Sequence, residues 1–184
     1  MRTMKKIALL VGSLRQQSYS LMTANALKAL APSSITLDIV DIGHLPLYNQ
    51  DYDAASPESY ETFRKQIASY DGYIFVTPEH NRSFPAALKN ALDVGSRPWG
   101  QSLWSGKPGG VVSTSIGGLG GFGANHHLRQ VLAFLNVQVL QQPEAYISNT
   151  MAVFDSDGNV VDESAKGSLT RFIEAYAAWV EKLS

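Results

Sequence analysis

Two short segments hold most of the side chains that could do chemistry. Gly12-Ser13-Leu14-Arg15-Gln16-Gln17-Ser18-Tyr19-Ser20 directly follows the apolar run Ile7-Ala8-Leu9-Leu10-Val11. It sets three hydroxyls (Ser13, Ser18, Ser20) and the Arg15 guanidinium just ahead of a helical pattern. A helix start offers unpaired amides and about half a positive charge. Hydroxyls and a guanidinium there complete a cradle for a dianionic phosphate. The same residues also suit an ordinary serine-capped helix with a solvated arginine. A triphosphate loop is excluded, because the second glycine and the Lys-Ser/Thr pair are missing. The second segment, Pro78-Glu79-His80-Asn81-Arg82-Ser83, directly follows Tyr73-Ile74-Phe75-Val76-Thr77. Pro78 fixes its own φ and stiffens the turn. Successive amides and the Asn81 side chain can meet the carbonyl and ring-nitrogen edge of a flat polar heterocycle. The simpler alternative is a polar connector in which Ser83 caps a helix starting near Pro85.

A third segment, Ser113-Thr114-Ser115-Ile116-Gly117-Gly118-Leu119-Gly120-Gly121-Phe122-Gly123, contains a literal G-x-G-x-x-G at Gly118, Gly120 and Gly123. A dinucleotide fingerprint needs a tight first turn and an acidic residue about 20 positions on, at a strand end. This loop is too long after its strand, and Glu144 is the nearest acid in that direction. A backbone-lined wall approaching a flat ring fits better, since glycine removes side-chain bulk. A plain flexible loop fits the composition too.

The elements that must position these segments follow from periodicity. Continuous aliphatic or β-branched runs at 6–11, 35–40, 72–77, 109–114 and 137–140 predict strands covered on both faces. Helical stripes lie between them. Leu21, Ala24, Leu27 and Ala31 form one, capped by Ser18 or Ser20. Tyr60, Phe63, Ile67 and Tyr70 form the next, with Ser56 as cap and Pro57 at the first helical position. Residues 85–94 predict a third helix. Ala124, Leu128, Val131, Leu132 and Leu135 mark a fourth, and Leu169, Phe172, Ile173, Tyr176, Val180 and Leu183 a fifth. Alternation of this kind implies right-handed crossovers and an α/β, doubly wound sheet of five parallel strands with helices on both faces; the order 2-1-3-4-5 is favoured over a barrel, because the chain is too short for eight βα units. Both connectors then fall at the carboxyl ends of strands 1 and 3, where such sheets bind ligands. Residues 148–163 predict a surface excursion turning at Asp157-Gly158. With no repeat or linker, residues 1–184 predict a single domain.

Composition narrows the partners. Of 184 residues, 45% are apolar, enough for a sizeable core, and the net charge of −1 gives no bulk affinity for nucleic acid or membrane. The basic start Met1-Arg2-Thr3-Met4-Lys5-Lys6 precedes an apolar run too short for a signal peptide. There is no cysteine, which excludes disulfides, thiolate metal sites and a thiol nucleophile and is compatible with the cytoplasmic location expected here.

Weaker constellations are set aside. Asp155, Asp157 and Asn159 resemble the start of a calcium loop, but Val160 stands where glycine is required and Lys166 where the closing glutamate belongs. His126 and His127 are adjacent on a helix, about 100° apart, and cannot easily share a metal. No G-x-S-x-G elbow supports a serine nucleophile. Trp99 and Trp104 either cover a ring edge or serve as core or contact residues. Arg129 and Glu144 are an interface ion pair or two solvated charges.

The two connectors together suit flavin mononucleotide (FMN), gripped by its phosphate at one and its ring at the other. With them the chain resembles the NADPH-dependent FMN reductase family. The resemblance rests on Gly12-Ser13-Leu14-Arg15 with Ser18 and Ser20, on Pro78-Glu79-His80-Asn81 with Ser83-Phe84-Pro85 and Leu88-Lys89-Asn90-Ala91-Leu92-Asp93, on the glycine-rich loop, on Leu128-Arg129-Gln130 and on Pro143-Glu144. It implies FMN phosphate on Ser13, Arg15, Ser18 and Ser20, the ring against Pro78, Glu79, His80 and Asn81, and Ser115, Gly117 and Gly118 opposite. It implies hydride transfer from NAD(P)H to FMN and on to a quinone, flavin, azo or metal-oxyanion acceptor, in a homodimer or homotetramer. The family usually carries tyrosine where His80 stands, and often where Arg82 stands. No residue of the chain is expected to act as acid or base. The alternative is a flavodoxin-like electron carrier without NAD(P)H turnover. Carriers tend to be strongly acidic, so the near-neutral charge favours the enzyme.

Overall fold

A computed structural model describes residues 4–183. The strands are β1 (Lys5–Val11), β2 (Ile35–Val40), β3 (Gly72–Pro78), β4 (Pro108–Thr114), β5 (Gln138–Val139) and β6 (Ala145–Ile147). The helices are α1 (Tyr19–Leu30), α2 (Glu58–Ala68), α3 (Ala86–Gly95), α4 (Phe122–Phe134), α5 (Thr150–Val153) and α6 (Glu163–Lys182). Every strand pairing is parallel, in the order β2-β1-β3-β4-β5, with β6 also on β4.

Each central strand feeds two cores, because successive side chains point to opposite faces. Ile7 and Leu9 of β1, Ile74 and Val76 of β3 and Val112 of β4 pack with α1 and α6. Ala8, Leu10, Tyr73, Phe75 and Val111 pack with α2, α3 and α4. Burial on both faces explains why these strands read as continuous apolar runs rather than alternating ones.

Trp104 belongs to the second of these cores, not to a ring edge. It is fully buried, its indole Nε1 donates to the Leu92 carbonyl (2.8 Å), and its ring meets Tyr73 edge-on at 4.8 Å. A Cβ placed on Gly95 would lie 2.3 Å from this indole, so only glycine fits there. Trp99, by contrast, is exposed.

Three expectations change. The fifth strand is divided: β5 pairs with Pro108 and Gly109, and β6 pairs with Val112, Ser113 and Thr114. The break between them contains Pro143, which has no N–H to give to a ladder. The excursion after β6 is only partly on the surface: Thr150, Val153 and Phe154 are buried. Its turn is where the sequence places it, with Gly158 N donating to the Asp155 carbonyl (3.1 Å). Finally, α2 begins one residue later than expected. Pro57 is its N-cap, and the Ser56 hydroxyl donates instead to the Tyr52 carbonyl (3.0 Å). Tyr70 lies beyond the helix end yet remains buried.

Candidate functional site

β1 and β3 run parallel, with Val11 beside Val76, so both connectors leave the sheet at the same rim. They also touch. Gly12 N donates to the Val76 carbonyl (2.8 Å), and a Cβ on Gly12 would stand 3.3 Å from both the Pro78 and Pro85 rings. With the end of β4 they enclose a cleft of about 640 Å³, within the range of cofactor sites. Ser13, Arg15, Ser18, Ser20, Pro78, Glu79, His80 and Ser115 all line it. Asn81, Gly117 and Gly118 are exposed residues next to this lining but not part of it.

The β1–α1 connector presents open donors. Ser18 is the N-cap of α1, and its hydroxyl oxygen accepts from Leu21 N (3.1 Å) while its own hydrogen stays available. The Tyr19 and Ser20 amides have no acceptor among the described residues, as the first turn of any helix requires. Arg15 is exposed, enters no ion pair among those residues, and rests over the Tyr19 ring at 5.8 Å. The Ser20 hydroxyl is hydrogen-bonded to the Thr114 hydroxyl (2.9 Å), which ties the helix start to β4.

The β3–α3 connector is closed upon itself. His80 and Ser83 exchange both backbone hydrogen bonds (2.8 and 3.0 Å), making a miniature hairpin. Asn81 (φ 52°) and Arg82 (φ 65°) form its tip, both left-handed as a two-residue hairpin turn of this hand demands. The Glu79 side chain is only 13% exposed. One of its oxygens accepts from Ala124 N at the start of α4 (3.0 Å), and the other pairs with Arg82 (2.9 Å). The Ser83 hydroxyl bonds His127 Nδ1 (2.8 Å) rather than capping α3. Both histidines of α4 thus have separate partners: His126 Nε2 meets the Tyr146 hydroxyl (2.8 Å) on another side. Burial, reinforced by Glu144, pushes the Tyr146 phenol up to about 12.

Among the lining residues that the sequence did not single out as ligands are two threonines. Thr114 ends β4, and Thr150 opens α5. Thr114 stood within the glycine-rich segment, so its position at a strand end was the available signal. Thr150 had none: it lies more than thirty residues further on, in the stretch expected to be a surface excursion. The glycines of the loop also have a different role at Gly120 and Gly121. Both are left-handed (φ 58° and 75°), and a Cβ on Gly120 would stand 2.7 Å from Tyr146 Cβ. They let the loop pass close to β6 of its own chain. Arg129 and Glu144 form no ion pair with each other. Arg129 donates to Asn125 Oδ1 (2.8 Å) and the Leu140 carbonyl (3.0 Å), while Glu144 lies 3.7 Å from His126.

FMN has one anionic end, one hydroxylated chain and one flat polar ring. The open amides and hydroxyls at α1 fit the first, the polar end of β4 at Thr114 and Ser115 the second, and the stiff connector beside Pro78 the third. Known proteins agree with this fit. Residues 5–152 match the family model described as NADPH-dependent FMN reductase. The chain is 54% identical over 176 residues to a quinone reductase of Pseudomonas putida, covering 95% of this chain and 94% of that one. It is 52% identical over 175 residues to a 2-hydroxy-1,4-benzoquinone reductase of Burkholderia, at 95% and 96% coverage. Among solved structures, FerB of Paracoccus denitrificans, a flavoenzyme NAD(P)H:(acceptor) oxidoreductase, superposes with a TM-score of 0.90 at 38% identity, covering 97% of this chain and 98% of that one. The cleft and these matches together identify the chain as a member of the NADPH-dependent FMN reductase family, a flavodoxin-like oxidoreductase that uses FMN and NAD(P)H.

Proposed function

We propose that the chain is an FMN-dependent NAD(P)H:quinone oxidoreductase, with residues 1–184 as one FMN-binding unit. The observation that carries this reading is the meeting of an open helix start and a closed, stiff connector at one rim of the sheet. The chemistry that bound FMN would supply is the redox step between NAD(P)H and the acceptor. The chain supplies binding and orientation. The Tyr19 and Ser20 amides with Ser13, Arg15, Ser18 and Ser20 hold the phosphate. Pro78, Glu79, His80 and Asn81 hold one side of the ring, with Ser115, Gly117 and Gly118 opposite. Backbone amides of the β3–α3 connector that its hairpin bonds leave free would favour negative charge on the ring, held in place because the hairpin is already closed. No side chain is assigned a proton transfer.

The quinone class is supported by the names of the two bacterial relatives; flavin, azo and metal-oxyanion acceptors are further candidates. A yellow protein that oxidises NADPH with 1,4-benzoquinone supports the reading. A yellow protein with no such turnover would make it an electron carrier, and a colourless one that FMN does not saturate would defeat the flavin site. We further propose a cytoplasmic homodimer or homotetramer. Phe122, 53% exposed, lies tilted against the rings of His126 (4.3 Å) and Tyr146 (5.6 Å), an aromatic face suited to a second copy. Light scattering of the purified protein tests it, and a monomer at micromolar concentration would overturn it.

A further inference from the structure

A second hollow, of about 520 Å³, lies beside the cofactor cleft at the carboxyl ends of β1 and β2. Ser13, Leu14 and Arg15 border both spaces, so a single connector separates them. Pro78 and His80 line the cleft but not the hollow. The two spaces therefore meet at the phosphate end of the cleft and not at its ring end. The floor of the hollow is apolar: Val40 and Ile42 are buried there, with Leu21 and Ile39 half-buried beside them. Leu14 is 58% exposed and lies against Gly43, where a Cβ would stand 3.1 Å from its Cδ2. An apolar floor with an exposed leucine at its edge suits a flat ring with little charge.

The polar groups of the hollow are few and open. Asp41 directly follows β2, the strand that pairs with β1. Its side chain is 78% exposed. One carboxylate oxygen accepts from Gly43 N (2.8 Å) and the other meets His44 Nδ1 (3.2 Å), which fixes the carboxylate and leaves it further lone pairs. In doubly wound sheets that bind nucleotides, an acid at the end of the strand beside the phosphate connector takes the ribose hydroxyls of adenosine. Arg15, on the border, enters no ion pair among the described residues and rests over the Tyr19 ring. Its guanidinium can serve a second phosphate as well as the first.

We infer that this hollow binds an adenosine group joined to the flavin through its phosphate, so that the chain accepts flavin adenine dinucleotide (FAD) as well as FMN. The inference rests on the flavin assignment of the cleft. Adenine would lie on the apolar floor beside Leu14, and the ribose hydroxyls would donate to Asp41. FAD is the fitting dinucleotide because the hollow continues from the phosphate end; the adenosine of a nicotinamide dinucleotide would start from the ring end, which the hollow does not touch.

The test titrates apoprotein with FMN and with FAD by calorimetry, FMN being the same flavin without adenosine. Wild type is expected to bind FAD at least as tightly as FMN, and weaker FAD binding would overturn the inference. Asp41→Ala should weaken FAD about 5- to 10-fold, the size of one hydrogen bond, and move FMN by less than about 2-fold. Unchanged FAD affinity, or equal weakening of both flavins, would overturn it, the second marking an aspartate that only shapes the connector. Should Asp41→Ala fail to fold, wild type carries the test by nuclear magnetic resonance. The His44 ring protons, assigned with His44→Gln, should shift when FAD binds and stay in place when FMN binds. A His44 signal that ignores FAD, or that moves only when NADH is added to the FMN-loaded protein, would take the hollow away from FAD. Wild-type protein that binds neither flavin would instead bring down the flavin assignment itself.

Discussion

The two connectors at the cleft solve opposite problems. The β3–α3 connector is satisfied from within: its backbone closes a hairpin, Glu79 reaches the start of α4, and Ser83 reaches His127. The β1–α1 connector leaves its donors open, with the Tyr19 and Ser20 amides and the Arg15 guanidinium lacking acceptors among the described residues. A flat ring needs a surface that does not move when it binds, so rigidity is built in ahead of time. A phosphate brings its own charge and acceptors, so that connector can wait for them. Loss of Glu79 or Ser83 from the first should therefore damage the fold, and loss of the Arg15 guanidinium from the second should damage only cofactor retention.

Arg15→Ala sets the largest effect. FMN affinity should fall by on the order of 1.5–3 kcal/mol, about 10- to 150-fold, with urea stability of the apoprotein unchanged. Fluorescence titration beside a denaturation curve reads both, and an apoprotein destabilised as much as the complex would erase the contrast. Glu79→Ala should lower the stability of the apoprotein itself. Loss of a mostly buried charged acceptor for Ala124 N should cost the apoprotein about 2 kcal/mol. Unchanged urea stability would show that α4 does not depend on this carboxylate.

The Ser83–His127 contact is expected to be smaller. A double-mutant cycle of Ser83→Ala and His127→Ala should return a coupling of about 1 kcal/mol in stability. A coupling near zero would mean that the hairpin holds without α4. Arg82→Gly should change least. Relief of a left-handed arginine, roughly 1 kcal/mol, offsets the loss of an exposed ion pair with Glu79, so stability should move by no more than about 0.5 kcal/mol. FMN affinity should hold, since Arg82 lies outside the cleft lining. A large loss of flavin would place the ring nearer the hairpin tip than proposed.

Much of this was legible in the residues. The strands at 6–11, 35–40, 72–77 and 109–114 were visible as apolar runs because helices cover both faces of the sheet, and an open sheet in the order 2-1-3-4-5 was favoured because the chain is too short for a barrel of eight βα units. A serine cap for α1, Ser18 or Ser20, was equally visible, since capping is local chemistry, and Ser18 takes the role. Local signals carry less where an element is short. A three-residue strand such as β6 has no period of its own, and only pairing with β4 makes it one.

The sequence by itself determined which segments are strands and helices and that two polar connectors share a rim, because burial and capping are written in nearest-neighbour patterns. Tertiary structure decided what those connectors do with their hydrogen-bonding groups. Glu79 found Ala124 across 45 residues, Ser83 found His127 across 44, and Thr150 came to the cleft by way of the Ser115 carbonyl. Such pairings depend on where the chain returns in space, and no local pattern encodes them.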